Sequence, residues 1–320
     1  MSLLLDYVLD RLGMDEIDVK IFCEMGFKYY GYTGKNRRPS PKEIGIKLGL
    51  DEKTVRSRVS RMEKEGFIQS YRAIPNPCLF QLPLLCTCGF RAPDVLAKKR
   101  ALQKLLQAPG ILDVGDFLGE TVGVDFASSE QDAERRIKEL SELIGVPGMP
   151  FIPPRRFSST TATPNRLDWQ LIKALRHNAV RPTTEIANEL GITYRTAEYR
   201  ISKLLEAQVF FVRAFINARD PKGIVLYSLF LELDQKGHEG VKRELLERYR
   251  DRLWFEFSPP SPMIIMNMFA TSVGEAEDKL LESLSHPGVR SGSLTIIKGW
   301  IEPTPPSWID RLVEQRIATQ

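Results

Sequence analysis

EIGIKLGLDEKTVRSRVSRMEKEGFI (43–68) and EIANELGITYRTAEYRISKLLEAQVF (185–210) lie over one another without a gap when the sequence is shifted by 142 residues. Glu43 falls on Glu185, Ile44 on Ile186, and Leu48 and Gly49 on Leu190 and Gly191. Thr54, Arg58 and Ser60 fall on Thr196, Arg200 and Ser202. Upstream, IDVKIFCEM (17–25) lies over LDWQLIKAL (167–175) at an offset of 150, so the first copy carries eight extra residues. They belong to the loop GFKYYGYTGKNRRPS (26–40). Self-similarity over this length means a duplicated unit and sets the frame for the rest of the chain.

Within each copy the spacing predicts three helices. The first starts near Asp15 or Asp168, and the second covers 41–48 or 183–190. Gly49 or Gly191 ends that second helix, as expected of a residue in the left-handed conformation. The third is capped by Asp51 or Thr193 and buries Val55, Val59 and Met62, or Ala197, Ile201 and Leu204, at helical spacing. Two short helices around a tight turn, the second one basic, read as a helix-turn-helix. FIQSYRAI (67–74) and VFFVRAFI (209–216) are expected to form its wing.

A βαββαβ rhythm follows each module. In the first copy it runs through strands at 82–90, 111–118 and 121–128 with a short last one near 149–153, and in the second through 224–233, 253–258, 263–271 and 293–301. The expected class is α+β, two winged helix-turn-helix modules alternating with two ferredoxin-like domains. The expected boundaries are 1–76 for an N-terminal helix and the first module, 77–153 for the first ferredoxin-like domain and 154–166 for a linker. The second module then takes 167–220, the second ferredoxin-like domain 221–302, and an amphipathic tail 303–320.

Composition is that of a folded globular protein, with 42% hydrophobic and 27% charged residues. No apolar run reaches the roughly 20 residues a membrane helix needs. Leu5, Val8, Leu9 and Leu12 trace an amphipathic helix rather than a signal peptide, so a cytoplasmic location is expected. Four cysteines are too few for a disulfide framework; Cys86 and Cys88 read as small hydrophobes on one strand face. The three histidines are isolated, and neither a metal nor a cofactor is expected. A net charge of +4 permits nucleic acid without requiring it.

The segment GLDEKTVRSRVSRMEKEGFIQSYRAIPNP, preceded by DEIDVKIF, resembles the Lrp/AsnC family of feast/famine regulators. The second copy departs at Gln208, where the family has a glycine, and at Glu198 within the basic helix. The resemblance implies double-stranded DNA as partner, assembly into dimers or larger homo-oligomers, and an amino-acid-like effector near a Gly-x-x-Asp turn. Gly119 and Glu120 stand at that turn and are the effector residues it implies, although Val122 occupies the acidic position.

For DNA the candidate residues are Lys53, Thr54, Arg56, Ser57, Arg58, Ser60 and Arg61 on the first recognition helix. On the second they are Arg195, Thr196, Tyr199, Arg200, Ser202 and Lys203. Lys and Arg can donate to guanine and Ser and Thr to several bases, while Arg58 and Arg200 sit nearer the packed side and suit phosphate contact or pinning. The expected function is a sequence-specific DNA-binding transcription regulator, one chain acting as a pseudo-dimer, and not an enzyme. Two rivals stay open: a degenerate regulator that recruits proteins, and a fused siroheme decarboxylase, an enzyme class that resembles this family. Against the latter, the 111–128 and 253–271 hairpins carry no His and no Arg for catalysis.

Overall fold

A computed structural model describes residues 13–27, 40–219, 223–259 and 261–320. The helix expected over Leu5–Leu12 and most of the basic stretch 34–42 lie outside the described residues. The first module comprises α1 (Glu16–Phe22), α2 (Pro41–Leu48), α3 (Glu52–Lys64) and β1 (Ile68–Pro75). The second repeats it as α6 (Arg166–Leu175), α7 (Thr183–Leu190), α8 (Tyr194–Glu206) and β6 (Phe210–Ile216). Between them lie β2 (Leu84–Arg91), α4 (Val95–Leu105), β3 (Ile111–Phe117), β4 (Thr121–Ser128), α5 (Ala133–Ile144) and β5 (Gly148–Arg156). The chain ends in β7 (Val225–Leu233), α9 (His238–Arg248), β8 (Leu253–Phe257), β9 (Met263–Ala270), α10 (Val273–Leu284), β10 (Val289–Ile301) and α11 (Trp308–Ala318).

Local chemistry explains the modules. Asp51 accepts from the Thr54 amide at 2.8 Å and Thr193 Oγ1 from the Thr196 amide at 3.1 Å, satisfying donors that the first turns of α3 and α8 leave unpaired. Gly49 (φ 68°) and Gly191 (φ 64°) close α2 and α7 in the left-handed region, as the sequence requires. Asp15 and Asp18 form a capping box at α1, and Asn165 and Asp168 repeat it at α6.

The two strands expected at the wings lie side by side. β1 and β6 pair with each other, antiparallel, and every residue of β6 is buried. The reason is compositional: FFVRAFI has no polar alternation to offer solvent, so the strand buries both faces. α11 packs against α6 in this same region, with Arg176 Nε donating to Asp310 at 2.9 Å and Lys173 paired to Glu314 at 2.6 Å. The tail therefore covers its own chain.

The ferredoxin-like units form one eight-stranded sheet in the order β5-β2-β4-β3-β10-β7-β9-β8. β10 joins them: Val289–Ile296 lies along β7 and Ile297–Ile301 along β3. Alternation sends Cys86, Cys88, Val122, Val124 and Phe126 toward α4 and α5, and Tyr227, Leu229, Ile264, Met266 and Met268 toward α9 and α10. Burial pushes the Cys86 thiol up to about 11, so it packs as a hydrophobe. On the opposite face the outer strands meet across the curled sheet, where the Arg155 guanidinium of β5 lies 4.5 Å from the Phe257 ring centroid of β8. Met263 to Phe269 are thus packed on both faces within one chain.

Candidate nucleic-acid interface and the pocket between the sheets

α3 and α8 each split into a packed stripe and an outward face. Lys53, Arg56, Ser57 and Lys64 are exposed on α3, and Tyr194, Arg195, Tyr199 and Lys203 on α8. Arg56 pairs with Glu52 at 2.5 Å, both groups remaining open to solvent. Lys203 Nζ sits 5.0 Å from the Tyr199 ring centroid. Thr54, Ser60, Thr196 and Ser202 are half-buried, and the two threonines are partly spent on capping. Glu198, which would oppose a phosphate backbone, instead accepts from Thr183 Oγ1 of α7 at 2.8 Å.

Three of the candidate arginines are turned inward. Arg58 pairs with Asp15 at 2.8 Å and with the fully buried Asp18 at 3.0 Å, and Arg61 also pairs with Asp18. Arg200 repeats the arrangement with Asp168 at 2.8 Å. Burial would raise the Asp15 carboxyl, but the Arg58 contact holds it below the usual range; burial dominates at Asp18 and pushes its carboxyl up. These arginines lock the recognition helix onto the first helix of its own module.

Gly119 and Glu120 lie in the β3–β4 turn. The Gly119 carbonyl accepts from the buried Lys98 Nζ at 2.9 Å, and Lys98 also reaches the Phe117 carbonyl. The second copy has a matching device, in which buried Lys242 reaches the Pro259 carbonyl.

Sequence reasoning missed a cavity of about 80 Å³ between the inner faces of the curled sheet. Thr87, Asp113 and Asp125 line it from the first unit and Ser228, Phe230 and Asn267 from the second. Arg155 of β5 and Arg213 of β6 also face it, and Arg213 pairs with the buried Asp113. The signal was present as polar residues at the inward positions of otherwise apolar strands, LYSLFL and IIMNMF.

Two helix-turn-helix modules, each followed by a ferredoxin-like unit, define the chain as a tandem helix-turn-helix protein. The family description of an AsnC-type helix-turn-helix domain matches residues 165–205, and that of a winged helix-turn-helix DNA-binding domain matches 32–69. The leucine-responsive regulatory protein of Haemophilus influenzae is 32% identical over 123 residues, which are 36% of this chain and 69% of that one. The regulator Ptr1 of Methanocaldococcus jannaschii is 30% identical over 131 residues, 41% of this chain and 82% of that one. Other matched relatives are spanned over 54% to 66% of their own length. The chain belongs to the Lrp/AsnC family.

Among solved structures, the siroheme decarboxylase NirDL is similar over 95% of this chain and 99% of its own, at 13% identity and a TM-score of 0.49. In the face of that similarity the expectation that the chain is not an enzyme is withdrawn. The reasoning behind the expectation also fails on geometry. The two hairpins lack arginine, but Arg155 and Arg213 reach the inter-sheet space from strands outside them.

Proposed function

We propose that this protein is a sequence-specific double-stranded DNA-binding transcription regulator in which one chain does the work of a dimer. The observation that carries the reading is the register of the β1–β6 ribbon. Tyr71 faces Ala214, and their counterparts in the opposite copy, Arg213 and Arg72, face each other. An antiparallel pair of equivalent strands in such a register has local two-fold symmetry, the relation by which dimeric regulators set two recognition helices on one duplex.

In this reading Lys53, Arg56 and Ser57 of α3 meet one half-site and Arg195, Tyr199 and Lys203 of α8 the other. Thr54, Ser60, Thr196 and Ser202 supply secondary contacts, while Arg58, Arg61 and Arg200 hold the helices at their working angle. Since the two faces differ in chemistry, the preferred operator is asymmetric, with half-site centres about 34 Å apart or a multiple of it. Selection from a random duplex library tests this. The expected product is a two-part, non-palindromic site, in which Lys53→Ala relaxes one half and Tyr199→Ala the other. Recovery of a palindrome, or relaxation of the same half by both substitutions, overturns the reading.

A further inference from the structure

We propose that the cavity between the two sheet faces is a binding site for a small, uncharged, single-ring planar molecule carrying a hydrogen-bonding group such as a carboxamide. The site lies apart from the DNA-facing helices, none of its residues being on α3 or α8. Three features select the ligand chemistry.

The first is charge balance. Two carboxylates, Asp113 and Asp125, face the cavity together with two guanidiniums, Arg155 and Arg213. Asp113 pairs with Arg213, and Asp125 accepts from Thr87 Oγ1 at 2.6 Å. An ionic ligand would bring an uncompensated charge into a lining that is already neutral, and burying it there costs desolvation.

The second is an unspent amide. Asn267 is only 4% exposed, and its side-chain Oδ1 accepts from Ser228 Oγ at 2.7 Å. Its Nδ2 has no hydrogen-bond partner among the described residues. Turning the amide round would spend the nitrogen on Ser228 and strand the oxygen instead, so one end faces the cavity unsatisfied either way. A buried polar group left in that state is destabilising, and a hydrogen-bonding guest relieves it.

The third is the aromatic wall. Phe117, Phe230, Phe255, Phe257 and Trp300 line the same space. Flat rings stack or meet edge-on with such a wall, which favours a planar guest over a branched one. The volume of about 80 Å³ sets an upper limit of one ring on the guest. The end strands β5 and β8 are not laddered together, and Arg155 and Phe257 meet across the gap between them.

Benzamide, with benzoate as the charged analogue of the same shape, tests this on the full chain. Calorimetry and tryptophan fluorescence should show saturable benzamide binding with a change in emission, and benzoate should bind at least tenfold more weakly. Asn267→Leu should weaken benzamide by about tenfold, the loss of one buried hydrogen bond. Trp300→Phe, which leaves a smaller ring in the wall, should lose most of the emission change. Should Asn267→Leu fail to fold, Ser228→Ala frees the amide to rotate, and soaking benzamide into crystals of the wild-type protein locates the guest directly. Absence of saturable binding overturns the proposal, as do equal affinities for benzoate, unchanged affinity in Asn267→Leu, or a guest seated outside the cavity.

Discussion

Gln208 stands where the first copy has Gly66, and both adopt positive φ, 55° and 75°. The left-handed conformation brings a Cβ too close to the neighbouring carbonyl, at a cost of roughly 1 kcal/mol for most residues. The Gln208 carbonyl accepts from Asn76 Nδ2 at 2.8 Å, a backbone contact that any residue type keeps. Gln208→Gly should therefore raise stability by about 0.5–1 kcal/mol in denaturant melts; unchanged or lower stability would show that its side chain matters more than its backbone. Asp116 is the second informative residue. Burial alone would raise its carboxyl, but Lys98 at 2.6 Å and Lys298 at 3.1 Å hold it below the usual range. A carboxyl depressed in this way contributes stability above its unfolded-state value and loses it as pH falls through the folded-state value. Asp116→Asn should thus be destabilised at neutral pH, and its gap from the wild type should close as pH drops below about 4. A constant gap down to pH 2 would refute the assignment.

At the scale of elements, α3 separates into arginines that hold and a face that is open. Arg56→Ala should leave the melting of the first module nearly unchanged and flatten the salt dependence of DNA affinity by about one unit of slope if it meets a phosphate. Arg58→Ala should do the reverse, lowering stability by on the order of 1–3 kcal/mol because Asp18 loses part of its compensation. Equal effects of the two on melting would contradict the division. The recognition helices, their caps and the closing glycines were legible because local chemistry decides them: an Asp or Thr before a helical stripe, and Gly at the end of the helix before it. The fate of β1 and β6 was not. Pairing between strands 142 residues apart is a tertiary choice, and a hydrophobic run reads equally well as a wing or as a buried ribbon. The inward arginines show the same limit. Helical periodicity placed Arg58 and Arg200 near the packed side, but their partners Asp15, Asp18 and Asp168 lie on a different helix.

For the whole molecule, duplication was visible from the sequence, and the way the copies close on one another was not. Symmetry holds along the β1–β6 ribbon and breaks in the large sheet. There β3 is laddered to β10, whereas their counterparts β8 and β5 meet through Arg155 and Phe257. The inter-sheet pocket follows from that closure, so the polar residues within LYSLFL and IIMNMF point to it only once the strands are assembled. The arginines brought there from β5 and β6 also removed the ground for excluding catalysis. In the proposed mode of binding, two unlike helices on one chain replace two like helices on two. The stoichiometry of the protein on a selected operator, measured by sedimentation or mass photometry alongside a footprint, decides it. One chain per duplex with both parts of the site protected is the expected result; two chains on a duplex carrying a single two-part site, each protecting one part, would overturn the proposal.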